Sequence, residues 1–201
     1  MTIRAAAHTG VTLVVVTPGS VGPREGDEHM RPLVLSGGPA AGKSTCGRRL
    51  AEEHARAAFI DADDIRQLVV AGGATLWSGP DGRDQHLLGV RNVAALARNL
   101  AAVGFVITVA DVVTEEALAA YRAELPDCLV VHLSLPLEEA RNRAATRPVY
   151  LTDDEFDYLH DLLSSPPEVD VVVDVTGLTV DEQTDAIRRA WTSASLSGRT
   201  A

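Results

Sequence analysis

A chain of 201 residues that is 46% apolar and 23% charged is long enough to bury one sizeable core, and that apolar fraction excludes a disordered or fibrous protein. With 28 acidic against 18 basic side chains the formal net charge is −10, which argues against a sequence-independent grip on nucleic acid and leaves room only for a local basic pocket. No apolar run approaches the ~18 residues of a membrane helix, so nothing in the sequence reads as spanning a bilayer.

Residues 1–29 differ from the rest. Arg4 precedes a short apolar run, Val11–Val16, but the run is followed by linker chemistry from Thr17 to His29 rather than by a small-residue cleavage site. Two readings stay open: a mobile extension over 1–29, or an edge strand from Val11 to Thr17. The functional domain is expected over 30–195, with 196–201 as a mobile tail. From Leu33 onward short apolar runs alternate with amphipathic stretches, the pattern of a parallel sheet joined by crossover helices. Strands are predicted at Leu33–Ser36, Ala57–Ile60, Phe105–Ala110, Cys128–Leu133 and Val169–Val173. Helices are predicted near 43–54, 64–71, 84–103, 114–124, 137–146, 153–163 and 180–193. Thr152-x-x-Glu155 and Thr179-x-x-Glu182 read as capping boxes, and Thr114 followed by two glutamates reads as another helix start. A Gly-rich loop from Gly72 to Gly82 interrupts the alternation and is long enough to border a binding site, with Trp77 as a candidate substrate contact. Cys46 and Cys128 show neither metal spacing nor a CxxC pair, which suits a reducing cytoplasm.

The sharpest signal is Gly37-Gly38-Pro39-Ala40-Ala41-Gly42-Lys43-Ser44, which satisfies G-x-x-x-x-G-K-[ST] directly after a predicted strand and directly before a predicted helix. Glycines let the backbone wrap around phosphates with its N–H groups inward, and the helix offers the positive end of its dipole to the same anions. Gly38, Pro39, Ala40, Ala41 and Gly42 are therefore expected to line a nucleoside triphosphate. Lys43 is expected to neutralise the β- and γ-phosphates, Ser44 to ligate Mg²⁺, and Thr45 to touch the α-phosphate.

Ligands of an open parallel sheet sit beyond the carboxyl ends of its strands. There, Asp61-Ala62-Asp63-Asp64-Ile65-Arg66 offers three carboxylates and an arginine beside the phosphate loop. One carboxylate, with Asp63 the candidate, can accept the proton of an attacking hydroxyl, and Arg66 can steady a phosphoryl group. Helix capping explains another of the three. Asp111, ending the apolar run Val106–Ala110, resembles the strand-end acid that orders Mg²⁺ through its water shell. Its alternative role is capping, for which Thr114 is the better candidate. Arg141, Arg143 and Arg147 lie on a helix running into Pro148, with 143 and 147 sharing a face. They read either as lid arginines closing over the triphosphate or as cations on a solvated face near a helix C-terminus.

With these residues assembled, the segment from about 33 to 193 resembles small P-loop kinases of the nucleotide-kinase-like group. The Gly37–Ser44 loop with Asp61-x-Asp63-x-x-Arg66 resembles adenylylsulfate kinase and phage polynucleotide kinase. The Gly-Gly start of the loop and the strand ending in Asp111-Val112 resemble chloramphenicol phosphotransferase, and the run from Leu133 to Ser165 is similar to tunicamycin-resistance ATP-binding proteins. The resemblance implies an α/β three-layer sandwich with a five-stranded parallel sheet in the order 2-3-1-4-5 and helices on both faces. It also implies Asp63 as the base, Arg66 on the acceptor side, and Arg141, Arg143 and Arg147 on ATP. The function expected is an ATP- and Mg²⁺-dependent phosphotransferase acting on a small-molecule hydroxyl. A kinase of nucleic-acid 5′ ends and a nucleotide-dependent switch are the alternatives.

Overall fold

The computed structural model describes residues 4–8, 11–15, 30–146 and 151–197. Arg4–His8 (β1) and Val11–Val15 (β2) pair antiparallel as a sheet of their own, so Val11–Val15 does not extend the edge of the main sheet. The rest of the expected 1–29 extension, and positions 198–201 of the expected tail, lie outside the described residues.

The main sheet contains β3 (Leu33–Gly37), β4 (Ala57–Asp61), β5 (Val106–Ala110), β6 (Leu129–Ser134) and β7 (Val171–Asp174) in the order β4-β5-β3-β6-β7. All four pairings are parallel, which gives the expected 2-3-1-4-5 order. Both sheet faces are covered, because the apolar runs present side chains alternately to either side. Leu33, Leu35, Leu129, Val131 and Leu133 point to one core, shared with α1 (Lys43–Glu52), α5 (Leu137–Ala144), α6 (Asp153–Ser164) and α7 (Val180–Ser197). Val34, Ile107, Val109 and Val130 point to the other, shared with α2 (Ala62–Arg66), α3 (Pro80–Ala101) and α4 (Glu115–Glu124). Each such leucine or valine contributes about 1.5–3 kcal/mol on burial. Trp191 of α7 closes the first core, its indole N–H donating to the Arg31 carbonyl at 2.7 Å.

Helix starts follow the chemistry in the sequence. The Thr152/Glu155 capping box forms with both of its bonds, and Thr179 and Glu182 exchange the same pair. Thr114 caps α4 by accepting from the Ala117 N–H at 3.2 Å, so Asp111 is not the cap. Several boundaries differ from expectation, among them the end of α2, at Arg66 rather than 71, and the end of α7, at Ser197 rather than 193. The Gly-rich loop ends at Gly79 rather than Gly82, because Pro80 at the first helical position is already in helical φ and has no N–H to leave unpaired. Helix α2 begins two residues earlier than expected, because the Asp61 side chain caps it by accepting from the Asp63 N–H at 3.2 Å.

Candidate functional site

The phosphate loop leaves β3 at the centre of the sheet and enters α1. Gly42, which precedes the helix, has φ +98°, a conformation that favours glycine, and a Cβ there would also lie 2.7 Å from Gln183 Oε1 and push that side chain aside. Ala40 and Ala41 are buried inside the loop, whereas Ser44 and Thr45 are exposed at its mouth. The Lys43 ammonium donates to the carbonyls of Gly37 at 2.7 Å and Gly38 at 3.0 Å. The loop is thus closed on itself with its cation at the position where a polyphosphate would arrive.

Asp61 at the end of β4, Asp63 in α2 and Asp111 just after β5 take three different situations. Asp61 accepts the Ser44 hydroxyl at 2.8 Å as well as capping α2. Asp63, two residues on, keeps 75% of its side chain exposed and meets the Arg66 guanidinium at 3.2 Å. Asp111 has no exposed side-chain surface and receives Arg66 at 2.7 Å, the Tyr121 hydroxyl at 2.6 Å and the Val112 N–H at 2.7 Å. The carboxylate beside Ser44 is therefore Asp61, and Asp111, the acid expected to order Mg²⁺ through its water shell, is bonded to Arg66, Tyr121 and the Val112 N–H. The cause is local: the backbone turns after Ala110, and the arginine and tyrosine reach that turn from α2 and α4. Burial opposes the Arg66 charge, yet Asp111 first and Asp63 next more than offset it and raise its pKa. Burial, reinforced by Asp111, raises the Tyr121 pKa well above the usual phenol value and keeps its hydroxyl a donor.

The arginines expected as a lid separate. Arg143 lies at the turn after β7, donating to the Val175 carbonyl at 2.8 Å and to Glu139 at 3.1 Å. Glu139 also accepts from the Gly177 N–H at 3.0 Å, and that bond together with Arg143 holds its carboxyl below the ordinary range. Arg141 is exposed and pairs with Asp157 of α6. Arg147 lies outside the described residues.

Helix α6 crosses the site. The His160 Nε2 lies 2.8 Å from the Leu135 carbonyl, and a Cβ on Gly38 would come within 3.5 Å of the His160 ring. Tyr158 meets Trp77 edge-on at 5.9 Å between ring centroids. The loop carrying Trp77 is fastened to α3, since Gln85 accepts from the Ala74 N–H at 2.7 Å and donates to the Gly72 carbonyl at 2.9 Å. Gly82 lets that loop approach: a Cβ there would lie 1.9 Å from the Thr75 oxygen. Tyr121, Gly82 and Gly89 carried no motif; the available signals were, for Gly89, a glycine inside an amphipathic helical pattern, which marks a close approach, and, for Glu139, its i, i+4 spacing to Arg143.

Residues 33–166, two-thirds of the sequence, match the AAA domain family. The chain belongs to that family. This AAA-domain protein has the fold of small P-loop kinases. It is similar to a sugar kinase from Janibacter sp. HTCC2649, with TM-score 0.64, 16% identity and coverage of 82% of this chain and 95% of that one. It is also similar to shikimate kinase from Acinetobacter baumannii in complex with shikimate (TM-score 0.60, 21% identity, 83% and 95% covered). A third likeness is to the tunicamycin resistance protein of Deinococcus radiodurans (TM-score 0.58, 14% identity, 80% and 95% covered). No curated protein matches the sequence significantly. Among the described residues no helix is long and apolar enough to cross a membrane.

Proposed function

We propose that this P-loop protein is a cytoplasmic kinase that uses ATP and Mg²⁺ to phosphorylate a hydroxyl group of a small molecule. The observation that carries the reading is the division of labour between Asp61 and Asp63. One carboxylate is engaged with Ser44 at the phosphate loop, and the other stays exposed two residues away beside Arg66. The Ser44 hydroxyl and the Asp61 carboxylate are hard oxygen donors held together at 2.8 Å, a set that fits Mg²⁺, and these residues would hold it. When bound with the nucleotide, the metal supplies charge neutralisation at the β- and γ-phosphates.

The loop amides and Lys43 bind the triphosphate and Thr45 lies beside its α-phosphate end, while Arg143 at the turn after β7 borders the nucleoside. Asp63 accepts the proton of the acceptor hydroxyl as its oxygen bonds to the γ-phosphorus. The bond between that phosphorus and the β,γ-bridging oxygen breaks, and the electron pair leaves with ADP. Arg66 lies beside Asp63, where it orients the acceptor and offsets developing charge. Trp77 and Tyr158 form an aromatic wall for the acceptor. The Gln85 bonds that fasten the Trp77 loop favour a preformed acceptor wall over a loop that reorganises with nucleotide state.

The test is a transfer screen with γ-labelled ATP against nucleosides, sugars and hydroxylated antibiotics, run with wild type and Asp63→Asn. Loss of a general base costs about 10²–10⁴ in rate, so the variant should lose transfer to that extent while its Mg·ATP affinity stays within about twofold. Transfer at the wild-type rate removes Asp63 from the base role.

A further inference from the structure

Arg66 is held unusually firmly for a residue at a cleft. One guanidinium nitrogen meets the fully buried Asp111 at 2.7 Å, another meets the exposed Asp63 at 3.2 Å, and Nε is buried with no hydrogen-bond partner among the described residues. An orphaned buried N–H is unfavourable, so the side chain keeps this pose because its other contacts dictate it. Two residues far from it in sequence do the dictating. Tyr121, with no exposed surface, donates to Asp111 Oδ2 at 2.6 Å, while Asp111 Oδ1 takes both Arg66 and the Val112 N–H. Held on both oxygens, the carboxylate cannot rotate, and the guanidinium docked on it cannot either. On the opposite side Arg66 runs across α3 at Gly89, where a Cβ would lie 3.0 Å from Nε and 3.1 Å from Cγ. Glycine weakens a helix interior relative to alanine, and here its missing methyl is the space the arginine occupies. His86, buried on the same helix, has its pKa lowered by burial first and by the Arg66 charge next.

We propose that Tyr121 and Gly89 are positioning residues that fix Arg66 in register with Asp63, an inference that rests on the kinase reading above. Tyr121 acts through Asp111 and Gly89 acts by leaving a channel; neither touches the reacting atoms. A displacement of a few tenths of an ångström at Arg66 is passed directly to the group that steadies Asp63 and the acceptor, and misplacements on that scale lower turnover well before they disturb binding.

The first measurement needs no acceptor. In ¹⁵N-labelled full-length protein, the Arg66 Nε–H resonance, assigned by its loss in Arg66→Lys, should exchange slowly with solvent in the wild type. Tyr121→Phe and Gly89→Ala should each speed that exchange by about tenfold or more, with Mg·ADP affinity within about twofold of wild type. In Gly89→Ala the helix gain from alanine is set against the loosened pair with the buried Asp111, so the exchange rate of the Arg66 Nε–H rather than the melting temperature is the deciding readout. Unchanged exchange in both variants overturns the proposal.

The second measurement uses the acceptor found by the screen. Both variants should lower kcat with the KM for ATP unchanged, and neither should lower it further in an Arg66→Ala background. Losses that add to that of Arg66→Ala overturn the proposal. If the wild-type protein transfers no phosphoryl group at all, the kinase reading fails, and the resonance experiment still decides whether Tyr121 and Gly89 hold Arg66.

Discussion

Gly82→Ala inverts the usual expectation for a glycine inside a helix. Gly82 is the third residue of a 22-residue helix, where alanine should add at most about 1 kcal/mol. The added Cβ would instead lie 1.9 Å from the Thr75 oxygen and 3.1 Å from that of Leu76, both backbone atoms that cannot swing aside as a side chain does. The loop must therefore lift off α3. It would give up both Gln85 bonds, about 1 kcal/mol each, and the Trp77–Tyr158 edge contact, about 0.5–1.5 kcal/mol. Set against the helix gain, the net loss is about 2 kcal/mol, and at about 2–4 °C per kcal/mol for a chain of this size the melting temperature should fall by roughly 4–8 °C. Fluorescence gives an independent reading, because the chain has 2 tryptophans and the other, Trp191, is buried with its indole N–H bonded. Emission should shift to the red and become more accessible to acrylamide as Trp77 leaves Tyr158. A melting temperature at or above wild type with unchanged emission would refute the packing of the loop on Gly82.

Three further outcomes follow from the site. Lys43→Ala should weaken Mg·ATP binding by about 100-fold, read by calorimetry; wild-type affinity would show that the loop does not grip the triphosphate. Ser44→Ala and Asp61→Asn should each raise the half-activating Mg²⁺ concentration by about 10-fold or more, whereas Asp111→Asn should lower turnover and thermal stability without moving it. An equal Mg²⁺ shift for Asp111→Asn would return the metal to Asp111. His132, 2% exposed, has its pKa lowered to about 4 by burial first and Lys43 next. The unfolded chain, where histidine titrates near 6.5, takes up a proton in the window between that value and about 4 that the native state refuses. Stability should therefore drop as pH falls through that window, by at most about 3.4 kcal/mol at 1.36 kcal/mol per pKa unit, and His132→Gln should flatten the decline in urea titrations from pH 7 to 4. An unchanged slope refutes the assignment to His132.

The parallel sheet was legible because each of its strands is an apolar run bounded by polar or glycine residues, and its order followed from the resemblance that the phosphate loop carries. Helix starts were legible where a threonine caps, at Thr114, Thr152 and Thr179, but not at α2, whose cap Asp61 stood among three candidate carboxylates. Which carboxylate stands at Ser44 was not legible, since Asp61, Asp63 and Asp111 all lie at or just beyond strand ends and the sequence says nothing about where each side chain turns. That choice is made by long-range contacts: Arg66 and Tyr121 claim Asp111, and Ser44 claims Asp61. The pairing of Arg143 with Glu139 was legible as an i, i+4 spacing on one predicted helix, whereas its bond to the Val175 carbonyl at the turn after β7, on another element, was not.

Helix α6 carries a constraint on timing. Within one rigid turn it presents Asp157 to Arg141, Tyr158 to Trp77 and His160 to the Leu135 carbonyl beside the phosphate loop. On the kinase reading proposed above, a tilt of this rod that admits an acceptor past Trp77 would also loosen the flank of Gly38 and the pairing with α5, so that acceptor entry and nucleotide departure would share one mechanical element.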